Sequence, residues 1–242
     1  MVRDIATVAP IVIALSGTAC SSSPRTEAAS PEVGYSKARA EVMDRLGDAA
    51  TLVDEFRAKL PESVTKQARC IIVVPAMVRG GFIVGARHGD GFASCRAPNN
   101  GDQANWSAPA PISVSGGSAG AQIGVESVDL LMLVQSDAGM NKLLRSKFEL
   151  GADVSASAGP VGRGREAATD TTMKAEVLSY TRSRGLFAGA ELGGAVVKQD
   201  DDATRALYGA SGPDFRTLLA GNVAPPDIAS RRFVEVVRET MQ

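Results

Sequence analysis

Few residues of this chain have the side chains and spacing that catalysis needs. His88 is the only histidine, so a Ser-His-Asp or Cys-His mechanism would depend on it alone. It lies in the phrase HGDG, residues 88–91, which is typical of a hairpin turn, and we interpret it as a solvated turn residue. The chain offers no credible nucleophile–base pair. We therefore predict no catalytic residues and no enzymatic activity.

Two other segments resemble ligand sites in part. The loop GPVGRGR, residues 159–165, is rich in glycine, but it lacks the Lys-Ser/Thr pair of phosphate-binding loops and opens no apolar-periodic helix. Asp200, Asp201 and Asp202 provide three adjacent carboxylates, yet their spacing matches no EF-hand loop. Acidic residues at a helix start more simply favour the helix dipole. We predict no nucleotide, no metal and no other cofactor.

Basic side chains are the remaining candidates for binding. Six of them form a candidate lipid-binding set: Lys142, Arg145, Lys147, Arg163, Arg182 and Arg184. Each basic residue near an anionic membrane contributes about 1 kcal/mol. Three would give roughly 3 kcal/mol, too little for tight binding unless apolar groups also insert. The alternative is a solvated face, because Lys and Arg late in a helix complement its dipole.

The three cysteines have two different expected roles. Cys70 and Cys95 flank predicted strands and could pair in an oxidising envelope, which would stabilise the fold by about 3.5 kcal/mol. The alternative is two buried apolar thiols. Cys20 follows an apolar run, residues 5–15, and three small residues, a pattern that resembles the bacterial lipobox in which such a cysteine is lipidated. The alternative is a secretory signal cleaved before a free Cys20.

These features predict how the chain is organised and where it resides. Residues 1–20 are expected to form a lipoprotein-type signal peptide, since their apolar run is shorter than the ~20 residues that span a bilayer. Residues 21–34 are polar and predict a flexible tether, and residues 35–242 predict one domain. We expect an exported protein, lipid-anchored to the cell envelope on the periplasmic face of the outer membrane. The net charge of −1 argues against a nucleic-acid partner.

The apolar periodicity predicts an α+β fold with a mostly antiparallel sheet, an N-terminal helix, short inserted helices and a C-terminal helix. Helices are expected at residues 36–60, 63–68, 138–146, within 200–210 and after Pro226. Ser63 and Asp137 are the expected caps of the second and third. Strands are expected at residues 71–74, 82–87, 92–95, 111–115, 121–126, 129–135, 148–158, 173–181 and 185–197. Pro75 should end the first strand, and ESVD, residues 126–129, should form a turn.

Four phrases recur in the order of a known family: IIVVPAMVRGGFIVGARHGDGFASCR, WSAPAPISVSGGSAGAQIGVESVDLLMLV, SKFELGADVSASAGPVGR and LSYTRSRGLFAGAELGG. Over residues 38–209 the chain resembles the SYLF-domain family of lipid-binding proteins, in particular a bacterial envelope lipoprotein member. The resemblance implies a non-enzymatic domain, associated in eukaryotic members with phosphoinositide and actin binding and in bacterial members with envelope roles.

Together these observations predict a domain that binds a lipid, an anionic membrane surface or another apolar ligand. Its mechanism would be an apolar groove between sheet and helices, with basic side chains at the mouth. The alternative is a structural or protein-interaction module of the envelope, with an envelope protein as partner. A contiguous apolar cavity would favour ligand binding, whereas a filled core with an exposed apolar patch would favour a protein partner.

Overall fold

A computed structural model describes residues 31–81, 84–97, 105–119, 124–145, 147–161 and 174–242. The helices in these ranges are α1 (Pro31–Arg57), α2 (Glu62–Gln67), α3 (Asp137–Leu143), α4 (Asp201–Tyr208), α5 (Phe215–Leu219) and α6 (Ile228–Thr240). The strands are β1 (Cys70–Gly81), β2 (Val84–Cys95), β3 (Ala110–Ala119), β4 (Gly124–Val134), β5 (Lys147–Glu149), β6 (Ala156–Ala158), β7 (Val177–Ser183), β8 (Leu186–Gly189) and β9 (Ala195–Gln199). The predicted signal peptide, Cys20 and Arg163 lie outside the described residues.

The strands form one curled sheet in the order β5-β9-β3-β2-β1-β4-β7-β6, and β8 pairs with β7. Every pair is antiparallel except β6 with β7. The predicted α+β class, with its mostly antiparallel sheet and its N- and C-terminal helices, is therefore confirmed. The first turn of α1 falls within the segment expected to be a tether.

Both faces of the sheet are buried at the start of β1 and the end of β4, which explains the uninterrupted apolar runs there. Ile71 and Val73 face a cluster that α1, α4 and α6 cover. Ile72 and Val74 face a second cluster, on the opposite face of the sheet, that includes side chains of α3, α5 and β5. Helix α1 meets the first cluster through Val42, Leu46, Val53 and Phe56, the helical spacing that predicted it.

The helix caps differ in part from the prediction. Ser136, not Asp137, caps α3, because its hydroxyl accepts a hydrogen bond from the Gly139 N–H at 3.0 Å. The residue before α2 is Pro61 rather than Ser63, and it makes no side-chain cap. Asp200 caps α4 by accepting from the Ala203 N–H at 2.9 Å, which accounts for one carboxylate of the acidic trio.

The prediction that Pro75 ends the first strand is wrong. Strand β1 continues to Gly81 through a bulge, where its register against β4 shifts between Val74 and Met77. Ala76 has a φ of 50° at this bulge, and its N–H donates to Asp129 Oδ1 at 2.9 Å. Proline is tolerated at a bulge because the ladder there is already interrupted.

Two predicted turns are parts of strands. Residues 88–91 lie within β2 and pair with β3, so His88 is an exposed strand residue rather than a turn residue. The glycines there permit close approach to the bulge of β1, because a Cβ on Gly91 would lie 1.9 Å from the Val73 carbonyl oxygen. Residues 126–129 likewise lie within β4, where Val128 is buried.

The second half of the sheet also differs in its connections. The turn after β7 lies at Arg184 and Gly185, two residues beyond the predicted Arg182 and Ser183, and both turn residues have positive φ. Strand β8 ends at Gly189, and β9 crosses to pair with β3 and β5. The long strand predicted over 148–158 is divided into β5 and β6 by a turn.

A disulfide joins Cys70 of β1 to Cys95 of β2, with an S–S distance of 2.02 Å. The two residues are directly opposite in the ladder, and both are fully buried. The next residue, Arg96, donates to the Ala68 carbonyl at 2.7 Å and to the Met241 carbonyl at 2.5 Å. Its guanidinium also stacks on the buried Trp106 ring at 5.1 Å. The disulfide region therefore ties α2, the sheet and the C-terminal residues together.

Candidate functional site

The predicted basic set does not form one surface in the structure. Lys142 lies 3.1 Å from both carboxylate oxygens of Glu176, which also accepts from the Ser155 N–H at 2.9 Å. Partial burial raises the pKa of Glu176, but the hydrogen bonds from Ser155 and Lys142 outweigh it and bring the pKa below its ordinary value. The charge of Lys142 is therefore largely neutralised within the fold.

Arg182 is neutralised in a similar way at the other end of β7. Its guanidinium lies 2.6 Å from Asp129 on β4 and also pairs with Glu55 of α1. Glu176 and Arg182 are six residues apart along β7, which corresponds to about 20 Å at the usual strand rise. Lys142 and Arg182 thus belong to different ends of the sheet.

Three other residues of the set remain exposed. Arg145 and Lys147 flank the start of β5, and Arg184 occupies the β7–β8 turn. None of these three has an ion-pair partner among the described residues. Arg184 differs from the other two because it lines a cleft that also contains exposed apolar side chains.

This sheet-end cleft has a volume of about 600 Å³ and lies between the start of β4 and the β7–β8 turn. Its lining residues are Arg79, Gly124, Val125, Glu126, Thr181, Ser183, Arg184, Leu186 and Ala188. Val125 is 81% exposed and Leu186 is 77% exposed, so two large apolar side chains project to solvent beside Arg184. The cleft therefore combines an apolar surface with charged groups.

Glu126 is at the centre of the polar contacts in the sheet-end cleft. It accepts hydrogen bonds from Arg79 Nη2 at 2.9 Å, Arg79 Nε at 3.2 Å and Ser183 Oγ at 2.5 Å. The hydrogen bonds from Ser183 and Arg79 lower the pKa of Glu126, and the charge of Arg184 lowers it further. Glu126 is consequently a carboxylate at neutral pH.

A further arginine, Arg87, lies directly opposite Arg79 in the ladder between β1 and β2. Its guanidinium donates to the Gly117 carbonyl at 2.7 Å and the Gly193 carbonyl at 3.3 Å, but to no carboxylate of the described residues. Burial and the charge of Arg79 lower the pKa of Arg87. Like charges directly opposite in a sheet are unfavourable. Together with Arg79 and Arg184, which line the cleft beside Glu126, Arg87 makes the charge at this end of the sheet positive among the described residues.

The remaining polar features point to no reaction centre. A second cleft of about 350 Å³ contains the acidic trio together with Ser113, Lys198 and Arg205. Within the described ranges, no group of three His, Cys, Asp or Glu side chains is placed to hold a metal ion. Over the same ranges, no helix has the length and apolar character needed to cross a bilayer.

Comparison with known proteins identifies the family. Residues 115–240, just over half of the chain, match the family model Ysc84, described as Las17-binding protein actin regulator. The chain belongs to the Ysc84, or SYLF-domain, family. The resemblance seen in the sequence is thereby confirmed at the level of the family.

Several eukaryotic relatives of this SYLF domain are similar over most of the chain. SH3 domain-containing protein PJ696.02 of Schizosaccharomyces pombe is 35% identical over 173 residues, which is 70% of this chain and 39% of that protein. LAS seventeen-binding protein 3 of Saccharomyces cerevisiae is 31% identical over 177 residues, 72% of this chain and 37% of that protein. SH3 domain-containing YSC84-like protein 1 of Mus musculus is 31% identical over 170 residues, 69% of this chain and 48% of that protein.

The SYLF chain thus spans between about a third and a half of the length of these relatives. Their names describe binding proteins or proteins with SH3 domains, and none of them names an enzymatic activity.

Sequence reasoning missed most of the SYLF domain's sheet-end cleft. Arg184 was in the predicted set, but Arg79, Arg87, Glu126 and Val125 were not. The available signal was weak, because Arg87 lay in a predicted strand whereas Arg79 lay between the first two predicted strands. That signal becomes informative only when the register places Arg79 opposite Arg87.

Proposed function

We propose that this SYLF domain binds anionic lipid surfaces through the sheet-end cleft and has no catalytic role. The observation that carries the proposal is the pair of exposed apolar side chains, Val125 and Leu186, beside a positive group of arginines. Membrane-surface binding needs both contributions, because cations hold the headgroups while apolar side chains enter the boundary with the acyl chains.

The expected binding is weak and reversible. Complete burial of a leucine or valine side chain contributes about 1.5–3 kcal/mol, and each arginine near an anionic surface contributes about 1 kcal/mol. Glu126 offsets one of the three arginines. Such a surface could orient the domain on a membrane, but stable attachment would need a second signal, for which the proposed acylation of Cys20 is suited.

Charge on α1 supports one orientation on the membrane. Glu41, Asp44 and Asp48 lie exposed on this helix, and acidic side chains are repelled by anionic headgroups. We infer that the sheet-end cleft faces the lipid and that these residues point away from it.

The ligand is proposed to bind at the surface rather than between the layers. Phe92, Phe233 and Val237 are buried in the space between the sheet and α6. Leu130 and Met132 are completely buried in the second cluster, on the opposite face of the sheet. The groove expected between helices and sheet is therefore filled at these positions, which leaves the outer cleft as the better candidate.

The proposed location is the cell envelope, with lipid anchoring through Cys20 on the periplasmic face of the outer membrane. The lipobox-like segment supports export, and the disulfide between Cys70 and Cys95 requires an oxidising compartment to persist. In this arrangement residues 1–19 are removed, Cys20 becomes the lipidated first residue, and the following polar segment separates the folded domain from its anchor.

A protein partner is the second candidate function. The family description and the name of the Saccharomyces cerevisiae relative refer to Las17 binding, and exposed apolar residues above a filled core are typical of a docking surface. Val125 and Leu186 would then be the contact residues for an envelope protein instead of a lipid.

Vesicle flotation separates the two candidates. The mature chain, residues 20–242 with Cys20→Ser so that neither the leader nor an acyl chain contributes, is mixed with vesicles of phosphatidylcholine alone or with added phosphatidylglycerol, at low and near-physiological salt. We expect salt-sensitive flotation with the anionic vesicles. Arg184→Ala should weaken binding by about fivefold, and Leu186→Ala should weaken it by a similar or larger factor.

The chain offers matched controls for both substitutions. Ile228 on α6 is 77% exposed, like Leu186, but lies away from the cleft, so Ile228→Ala should bind normally. Arg145→Ala tests the basic residues predicted from sequence. Loss of binding in Arg145→Ala but not in Arg184→Ala would move the lipid site to the start of β5. No flotation of the parent chain under any condition would favour the protein partner.

A further inference from the structure

Glu126 occupies the hydrogen-bond donors that an anionic ligand of the sheet-end cleft would use. One of its carboxylate oxygens accepts from Arg79 at 2.9 and 3.2 Å, and the other accepts from Ser183 at 2.5 Å. A guanidinium and a hydroxyl arranged around one oxyanion are the donor set that also binds a phosphate. The ligand's position is thus filled by a group of the protein itself.

We propose that Glu126 is an internal substitute for the lipid phosphate and acts as a specificity-determining residue of the cleft. This inference rests on the proposed lipid-binding function. A headgroup can engage Arg79 and Ser183 only if it displaces the carboxylate. Displacement is favourable for a headgroup with net negative charge, which restores the ion pair with Arg79. A zwitterionic headgroup has no net negative charge with which to replace the carboxylate beside Arg79. Glu126 therefore stays in place and excludes it.

The side chain of Glu126 has room for this exchange. It is 38% exposed, and the Arg79 side chain is 33% exposed, so neither is locked in the core. Arg184 lines the same cleft and has no ion-pair partner of its own among the described residues. It would supply the first attraction for a phosphate, and Arg79 would become available in the second step.

The test compares Glu126→Gln with the parent chain in the flotation assay, using phosphatidylcholine vesicles with added phosphatidylglycerol and the Cys20→Ser background. Glutamine keeps the shape of the side chain but removes its negative charge. We expect Glu126→Gln to bind about fivefold more tightly, the factor that corresponds to one unit of charge at an anionic surface.

A double-mutant cycle with Arg79→Ala tests the competition directly. In the parent chain Arg79 is held by Glu126, so Arg79→Ala removes only one unit of charge and should weaken binding by about fivefold. In the Glu126→Gln chain Arg79 is available to the lipid, so the same substitution also removes a hydrogen-bond donor to the phosphate and should weaken binding by more than about tenfold. Equal effects of Arg79→Ala in the two backgrounds would overturn the inference.

Glu235→Gln is the matched control, because it makes the same change of charge on α6, where Glu235 pairs with Arg238. A similar gain in Glu235→Gln would show a general charge effect and would also overturn the inference. Urea unfolding, followed by Trp106 fluorescence, checks that each variant is folded.

The outcomes separate this inference from the proposed function. If the parent chain binds and Glu126→Gln binds no more tightly, the competition is refuted and the lipid function stands. If neither protein binds anionic vesicles, the lipid function is refuted as well. Binding by Glu126→Gln alone would support the inference and would mean that the carboxylate closes the cleft completely.

Discussion

Cutting the disulfide between Cys70 and Cys95 should lower the free energy of unfolding by about 3.5 kcal/mol. The two cysteines are separated by 25 residues, and this loop length gives that value in the chain-entropy model. The stabilisation arises mainly because the cross-link restricts the unfolded chain. The ladder between β1 and β2 should remain in the reduced native protein, so reduction should change stability rather than architecture.

Urea unfolding with and without reductant measures this effect. Trp106 is the only tryptophan and packs on Arg96, the residue after Cys95, so its fluorescence reports on this region. With an m-value of about 3 kcal/mol/M, suitable for a domain of this size, the midpoint should fall by roughly 1 M urea. The double variant Cys70→Ala, Cys95→Ala is the control, since reductant should not shift its midpoint.

Two results would refute this reasoning about the disulfide. The first is an unchanged midpoint for the parent chain after complete reduction in denaturant. The second is titration of both Cys70 and Cys95 as free thiols in unfolded protein that has never met a reductant. The latter result would also remove the disulfide from the support for export.

Three further predictions concern stability and use the same urea assay. Tyr180→Phe should leave the free energy of unfolding unchanged or raise it, because the buried hydroxyl has no hydrogen-bond partner among the described residues. Tyr208→Phe should lower the free energy of unfolding by about 1 kcal/mol, since that hydroxyl donates to a backbone carbonyl at 2.7 Å. A larger loss of stability in Tyr180→Phe than in Tyr208→Phe would contradict this. Gly91→Ala should destabilise the protein strongly or prevent folding, because the new Cβ would lie 1.9 Å from a carbonyl oxygen of β1. Gly117→Ala should be tolerated, because the nearest atom to its Cβ would be 4.0 Å away. Equal urea midpoints for the two variants would refute the packing argument. The lowered pKa of Glu126 means that its contribution to stability is present above the ordinary value of 4.5 and is lost as pH falls through the folded-state pKa. The midpoints of the parent chain and Glu126→Gln should therefore differ at neutral pH and converge in acid; a constant difference would show that the carboxylate's charge is not involved.

Sequence periodicity was sufficient for the elements whose burial is regular. Val42, Leu46 and Phe56 repeat at helical spacing and mark α1, and the apolar run at the start of β1 marks a strand covered on both faces. The failures occur where proline and glycine serve packing instead of turns. Pro75 lies at the bulge of β1, where the ladder is already interrupted, so its missing N–H breaks no hydrogen bond. Position 91 must be glycine because the backbone of β1 approaches it too closely for a Cβ.

The candidate site was harder to predict because ionic contacts are not local in sequence. Lys142 meets Glu176, and Arg182 meets Asp129 and Glu55, so residues that look like free cations in the sequence are paired in the fold. Arg79 and Glu126 are 47 residues apart, and only the pairing of β1 with β4 brings them together. Charge neutralisation therefore depends on strand register, which periodicity alone does not determine.

The position of β1 and β2 in the middle of the sheet bears on the modularity of this family. The segment that matches the family model, residues 115–240, begins after both strands. In the sheet, however, β2 pairs with β3, and β1 pairs with β4. A fragment restricted to the matched segment would consist of two separate half-sheets, each with a newly unpaired and strongly apolar edge, and such edges promote aggregation. The unit that can be transplanted between proteins must therefore begin no later than β1, well before the segment that matches the family model.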